Sequence, residues 1–176
     1  MRMRNLVLVG YMGTGKSTVG KKLARRLGMK FVDSDQEVER VTGLTINEIF
    51  KKFKEVRFRS EEKAALRRIT RNSGQVIATG GGSVIDPENV AMLKENGFLV
   101  CLTAEPEIIY ERVKRKKNRP LLQTDNPLAK IGKMLAERAP FYAKADAEID
   151  TSKMDLDAVV AEVSKLYQEY NAQTRG

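Results

Sequence analysis

The run Gly10-Tyr11-Met12-Gly13-Thr14-Gly15-Lys16-Ser17 constrains this chain more than any other feature. Residues 6–9 before it are uniformly apolar and read as a buried strand. Residues 17–27 after it read as a helix, because Val19, Leu23 and Leu27 recur at four-residue spacing on one face. A glycine-rich turn between a strand and a helix is the setting of a phosphate-binding loop. Backbone N–H groups of such a loop wrap phosphate oxygens, and the helix N-terminus adds partial positive charge. Gly10 and Gly15 allow the close backbone approach that a Cβ would obstruct. Gly13, Thr14, Gly15, Lys16, Ser17 and Thr18 are therefore candidates for binding a nucleoside triphosphate. Lys16 would reach the β- and γ-phosphates, and the Ser17 hydroxyl would ligate Mg²⁺.

Further apolar runs near residues 30–32, 75–79, 98–102 and 148–150 join the first strand, Asn5–Val9, in alternating with helical patterns. That alternation predicts an α/β fold, a five-stranded parallel sheet flanked by helices. The last helix is expected over about 155–171, with Leu156, Val159, Val160, Val163, Leu166 and Tyr170 on one face. Residues 44–72 read as a charged helix broken near Lys54, lying outside the strand-helix alternation as an inserted lobe. Between 114 and 126 the periodicity fails, and Arg115-Lys116-Lys117-Asn118-Arg119-Pro120 is charged and uncapped, as in a lid. No repeat or linker divides the chain, so residues 1–176 are expected to form one domain around one core.

Composition removes whole classes of chemistry. The chain has no histidine, which excludes Ser-His-Asp catalysis, histidine general bases and His-ligated zinc. Acid-base work then falls to carboxylates. The single cysteine, Cys101, cannot form an internal disulfide and sits in an apolar strand pattern. The apolar runs are far shorter than the ~20 residues that span a bilayer. The N-terminus leads directly into a strand and lacks a signal-peptide cleavage site, so a cytosolic setting is expected. The net charge of +9 suits anionic partners without choosing among them.

Where a phosphate-binding loop finds its second metal carboxylate separates switches, motors and small-molecule kinases. The strand at 76–79 ends in Gly80-Gly81-Gly82, without the aspartate that motors carry there. Asp33 and Asp35 follow the second strand instead, at the edge where α/β proteins bind ligands. One could serve the metal through water and the other an acceptor hydroxyl. Simple N-capping of the helix through Val38 and Val41 is the competing reading of the pair. The absence of an Asn-Lys-x-Asp string disfavours a guanine switch. Gly80, Gly81 and Gly82 expose backbone N–H groups suited to an oxygen-rich ligand. Arg59, Arg119 and Arg138 come from three separate segments and together could line an anionic cleft, with Arg119 arriving on the lid. The basic run 112–119 lacks interleaved aromatics, so base stacking on nucleic acid gets no support.

Taken together, these segments resemble the shikimate kinase family over nearly the whole chain. The carriers are Gly10 to Thr18, Phe31-Val32-Asp33-Ser34-Asp35, Ile46 to Phe50 with Phe58-Arg59-Ser60-Glu61-Glu62, Thr79 to Gly82, Arg119-Pro120-Leu121-Leu122 and Arg138-Ala139-Pro140-Phe141-Tyr142. The resemblance implies a phosphate-loop fold like that of nucleoside monophosphate kinases, and transfer from MgATP to the 3-hydroxyl of shikimate on the route to chorismate. It implies that Asp35 holds the acceptor hydroxyl, that Arg59 and Arg138 bind the substrate carboxylate, and that Gly80 to Gly82 contact the substrate. Residues 33–72 would form the substrate-binding segment. It further implies that Lys16, Asp35 and Arg119 are catalytic, that Asp33 joins Ser17 at one Mg²⁺ ion, and that Arg112 and Asp155 lie at the adenine. A monomer without membrane or nucleic-acid partners is the family expectation. Two departures stand out: Lys54 precedes Glu55 where many relatives have glycine, and Lys117 stands where arginine is common. A gluconate or nucleoside monophosphate kinase, and a nucleic-acid-binding ATP-regulated protein, are the competing readings.

Overall fold

The five strands are β1 (Asn5–Val9), β2 (Lys30–Asp33), β3 (Gln75–Ala78), β4 (Gly97–Thr103) and β5 (Ala147–Asp150). They form one parallel sheet in the order β2-β3-β1-β4-β5 in the computed structural model, which describes residues 3–114 and 124–174. Leu6 pairs with Val76 on one side and Phe98 on the other, so β1 is the centre of the sheet. Its residues are all buried, as the unbroken apolar run requires of a parallel strand covered on both faces.

Because side chains alternate along a strand, β1 supplies two cores. Leu6 and Leu8 pack with Val19 and Leu23 of α1 (Lys16–Leu27) and with Val159 and Val163 of α7 (Leu156–Gln173). Val7 and Val9 face the opposite layer, which is built from α3 (Ile46–Ile69), α4 (Pro87–Glu95), α5 (Pro106–Val113) and α6 (Pro127–Tyr142). Buried Asn5 ties this sheet together at its lower end. Its side chain donates to Asn72 O at 2.8 Å and accepts from Gln75 N at 2.9 Å. Cys101 is buried in β4, and desolvation pushes its thiol up to about 12, in keeping with a packing role.

α2 (Ser34–Thr42) and α3 form a smaller cluster of their own through Val38, Ile49, Phe58 and Ala65. On α2 only Val38 of the expected pair is buried, while Val41 faces solvent. Thr45 starts α3 with a capping box: its hydroxyl accepts from Glu48 N at 3.2 Å while Glu48 Oε2 accepts from Thr45 N at 2.8 Å. α3 is one continuous run broken in direction at Lys54, whose φ of 64° and ψ of −175° fall in a region that essentially only glycine occupies. The expected break is therefore present and carries backbone strain. Of the expected lid over 114–126, residues 115–123, including Lys117 and Arg119, lie outside the described residues. No helix among the described residues is long and apolar enough to cross a membrane.

Candidate active site

The carboxyl ends of β1, β2 and β3 open into a cleft of about 390 Å³. The loop after β1 forms its floor. Gly15 caps α1 in a left-handed conformation without a side-chain hydrogen bond, so no side chain consumes the first-turn N–H donors. Thr14 Oγ1 donates to Tyr11 O at 2.8 Å, and buried Lys16 Nζ donates to Gly10 O at 2.6 Å and Tyr11 O at 2.8 Å. The loop is thus braced from within by its own threonine and lysine.

Asp33 ends β2 and performs two tasks at once. Its Oδ1 accepts from Asp35 N at 3.0 Å and Gln36 N at 3.4 Å, capping α2, while its Oδ2 accepts from Ser17 Oγ at 2.8 Å. The capping reading and the metal-side reading of this carboxylate are therefore compatible. Among the described residues no group of three or more His, Cys, Asp or Glu could hold a metal ion by itself. One hydroxyl with one carboxylate behind it fits Mg²⁺, which keeps several waters and takes the rest of its shell from phosphates.

The opposite wall is organised by three glycines, each facing a charged side chain. A Cβ on Gly80 would lie 2.8 Å from Glu62 Oε1 and 2.9 Å from Asp35 Oδ1. One on Gly81 would lie 3.5 Å from Arg138 Nη1, and one on Gly82 only 2.5 Å from Arg59 Nη2. Backbone without side chains is what lets these four charges converge. Two serines hold the wall in place: Ser34 Oγ accepts from Gly80 N at 3.1 Å, and Ser83 Oγ donates to Glu62 Oε1 at 2.6 Å. Tyr142 OH donates to Gly81 O at 2.8 Å. Burial pushes the Tyr142 phenol up to about 12, although its hydrogen bond with Arg138 works in the other direction, so it remains a donor at neutral pH. Arg138 lies over the Tyr11 ring, 5.5 Å from its centroid.

Arg59 is held by two carboxylates. Its Nη1 donates to buried Glu62 at 2.8 Å, and its Nε and Nη2 donate to Glu55 Oε1 at 3.2 and 3.0 Å. Burial opposes the charge on Arg59, yet Glu62 and then Glu55 keep its pKa above the ordinary value. Glu62 escaped the reading of individual site residues, although the three-residue spacing from Arg59 on a helix was visible. Tyr142, Ser34 and Ser83 carried no such signal.

At the far end of the cleft, Arg112 Nη1 donates to Thr151 Oγ1 at 2.9 Å and Nη2 to Thr151 O at 3.0 Å. Met154, Leu156 and Val159 add apolar lining there. Asp155 sits between two lining residues, but its side chain accepts from Ala158 N at 2.8 Å as the N-cap of α7 and does not line the cleft. The cleft brings together residues 13–18 with Asp33, Asp35, Gly80, Gly81 and Arg112. Arg59, Gly82 and Arg138 adjoin it through the glycine wall, and Arg119 lies outside the described residues.

Comparison with known proteins agrees with this geometry. The family model described as shikimate kinase matches residues 12–168. A shikimate kinase of Pelotomaculum thermopropionicum is 48% identical over 96% of this chain and 98% of its own length. One from Thermoanaerobacter pseudethanolicus is 47% identical over 94% of this chain and 96% of its own. Among solved structures, shikimate kinase from Acinetobacter baumannii in complex with shikimate superposes with a TM-score of 0.90 at 41% identity, covering 96% of this chain and 94% of that one. Shikimate kinase from Aquifex aeolicus gives a TM-score of 0.82 at 37% identity, covering 96% and 98%.

Proposed function

Because this chain belongs to the shikimate kinase family, we propose that it transfers the γ-phosphoryl group of ATP to the 3-hydroxyl of shikimate, giving 3-phosphoshikimate for chorismate and aromatic amino acid synthesis. The observation that carries this reading is the glycine wall, where Asp35 and Glu62 meet Gly80, Arg138 meets Gly81 and Arg59 meets Gly82 beside a phosphate-binding loop. Shikimate is a polyol with one carboxylate. It calls for hydrogen-bond partners for its hydroxyls and a positive clamp for its acid, and this wall supplies both.

In this reading the loop N–H groups of Gly13 to Thr18 cradle the phosphates, and Lys16, with three donors on a flexible stem, turns from the loop carbonyls to phosphate oxygens. Asp35 accepts the proton of the acceptor hydroxyl and aims its oxygen at the γ-phosphorus. Arg59 and Arg138 take the substrate carboxylate, with the N–H groups of Gly80 to Gly82 as backbone contacts. Ser17 and Asp33 would hold one Mg²⁺, which would offset the phosphate charge. Arg112 lies against the adenine, where Asp155 acts only by fixing the start of α7. Arg119, which lies outside the described residues, would add a further positive charge at the phosphates. Such transfer depends mostly on in-line positioning and charge neutralisation, so a site made of positioned charges suffices. The protein acts as a cytosolic monomer of one domain, with 33–72 as the acceptor-binding lobe, and needs neither nucleic acid nor membrane.

ADP release from MgATP with shikimate, quinate, gluconate and AMP offered separately tests the reading. Stimulation by shikimate alone is expected, and it should vanish with EDTA. Stimulation by gluconate or AMP in place of shikimate would overturn the substrate assignment while keeping the kinase.

A further inference from the structure

The two carboxylates on Arg59 are not equivalent. Glu62 is 1% exposed and also accepts the Ser83 hydroxyl, so moving it would strand a buried carboxylate. Glu55 is 65% exposed, its polar partner among the described residues is Arg59, and water can replace that partner on release. A single oxygen of Glu55 takes both Nε and Nη2, which is the edge through which arginine grips a carboxylate with two parallel bonds. Glu62 takes Nη1, and the backbone of Gly82 lies against the guanidinium.

We infer that Glu55 is an internal stand-in for the substrate carboxylate: it holds the gripping edge of Arg59 until the acceptor displaces it, and so sets the acceptor affinity. Glu62 keeps the guanidinium in place during the exchange. The inference rests on the clamp role proposed for Arg59. Glu55 is a positioning residue that acts through its pair with Arg59, and its release leaves Arg59 with one carboxylate partner from the protein and one from the substrate. Exposed ion pairs of this kind shift an equilibrium by no more than about fivefold. A modest gain in affinity is therefore what removing the competitor should yield.

The test is the shikimate KM and kcat of Glu55→Gln and Glu55→Ala, with calorimetric shikimate Kd values at low and high salt. Both variants should lower KM and Kd about two- to fivefold with kcat little changed, and the gap from the parent should narrow at high salt as the Glu55–Arg59 pair is screened. Unchanged KM and Kd would overturn the inference, and raised values would overturn it in favour of Glu55 as a support for Arg59. Parent enzyme that ignores shikimate would instead sink the substrate reading, a result separate from any effect of Glu55. Because Glu55 is exposed and its pair with Arg59 lies at the surface, melting temperatures close to the parent's are expected for both variants.

Discussion

The phosphate side and the acceptor side of the cleft are built on opposite plans. The phosphate side is one continuous loop, anchored between the central strand and α1, with Thr14 and Lys16 buried and bonded to the loop's own carbonyls. The acceptor side collects α2, α3, the glycines after β3 and α6, and depends on the ion pairs of Arg59 within α3 and on single hydrogen bonds of Ser34, Ser83 and Tyr142 that join these elements. It also contains the strained Lys54 backbone, and beside it Phe53 and Val56 are 53% and 84% exposed. The contrast teaches that phosphate binding is prepared in the fold, while acceptor binding is held by contacts that can be exchanged.

The comparison is most easily broken through Asp35, which belongs to the acceptor wall although it lines the same cleft as the phosphate-binding loop. Asp35→Asn should lower kcat by about 10³-fold while leaving the ATP Kd nearly unchanged, since a positioned base contributes on that scale. Equilibrium ATP binding and single-turnover transfer check this, and near-normal turnover would remove Asp35 from the chemistry. Arg138→Ala should raise the shikimate KM about 10- to 100-fold, the loss expected for a charge-assisted hydrogen bond, with the ATP KM held. Equal loss for both substrates would mean that the two sides are not separable.

Two smaller effects sharpen the contrast. Glu62→Gln keeps the shape but weakens the bonds from Arg59 and Ser83, and should cost about 2 kcal/mol in urea denaturation together with a raised shikimate KM. Lys54→Gly should do the reverse for stability. Backbone strain of this type is worth about 1–3 kcal/mol, and the added freedom of the unfolded chain returns about 0.5–1 of it, leaving a net gain near 1 kcal/mol. That corresponds to a melting temperature about 2–4 °C higher for a chain of this size. Lys54→Ala, which cannot relieve the same φ, should show no such gain.

Much of the acceptor side was nevertheless legible in the chain. The helix break was visible near Lys54, and Asp35, Gly80 to Gly82, Arg59 and Arg138 were singled out before any strand was paired. What escaped was the supporting layer. Glu62 looks like one more acid on a charged helix until Ser83 and Arg59 are seen to close around it. Asp33 posed a choice between cap and metal side that disappears once its two oxygens are seen to point different ways. Asp155 was placed at the adenine by the family resemblance, and its carboxylate accepts from the first turn of α7.

By itself the sequence determined the phosphate-binding loop, the order of strands and helices, and the two-faced burial of β1. Those follow from turn chemistry and hydrophobic periods that act over a few residues. Only the tertiary structure decided the strand order β2-β3-β1-β4-β5, and with it the meeting of Asp35, Arg59, Gly80 and Arg138 at one wall. Parallel strands are joined by long crossovers, so which edges become neighbours depends on how whole layers pack, and no local stretch of chain records it.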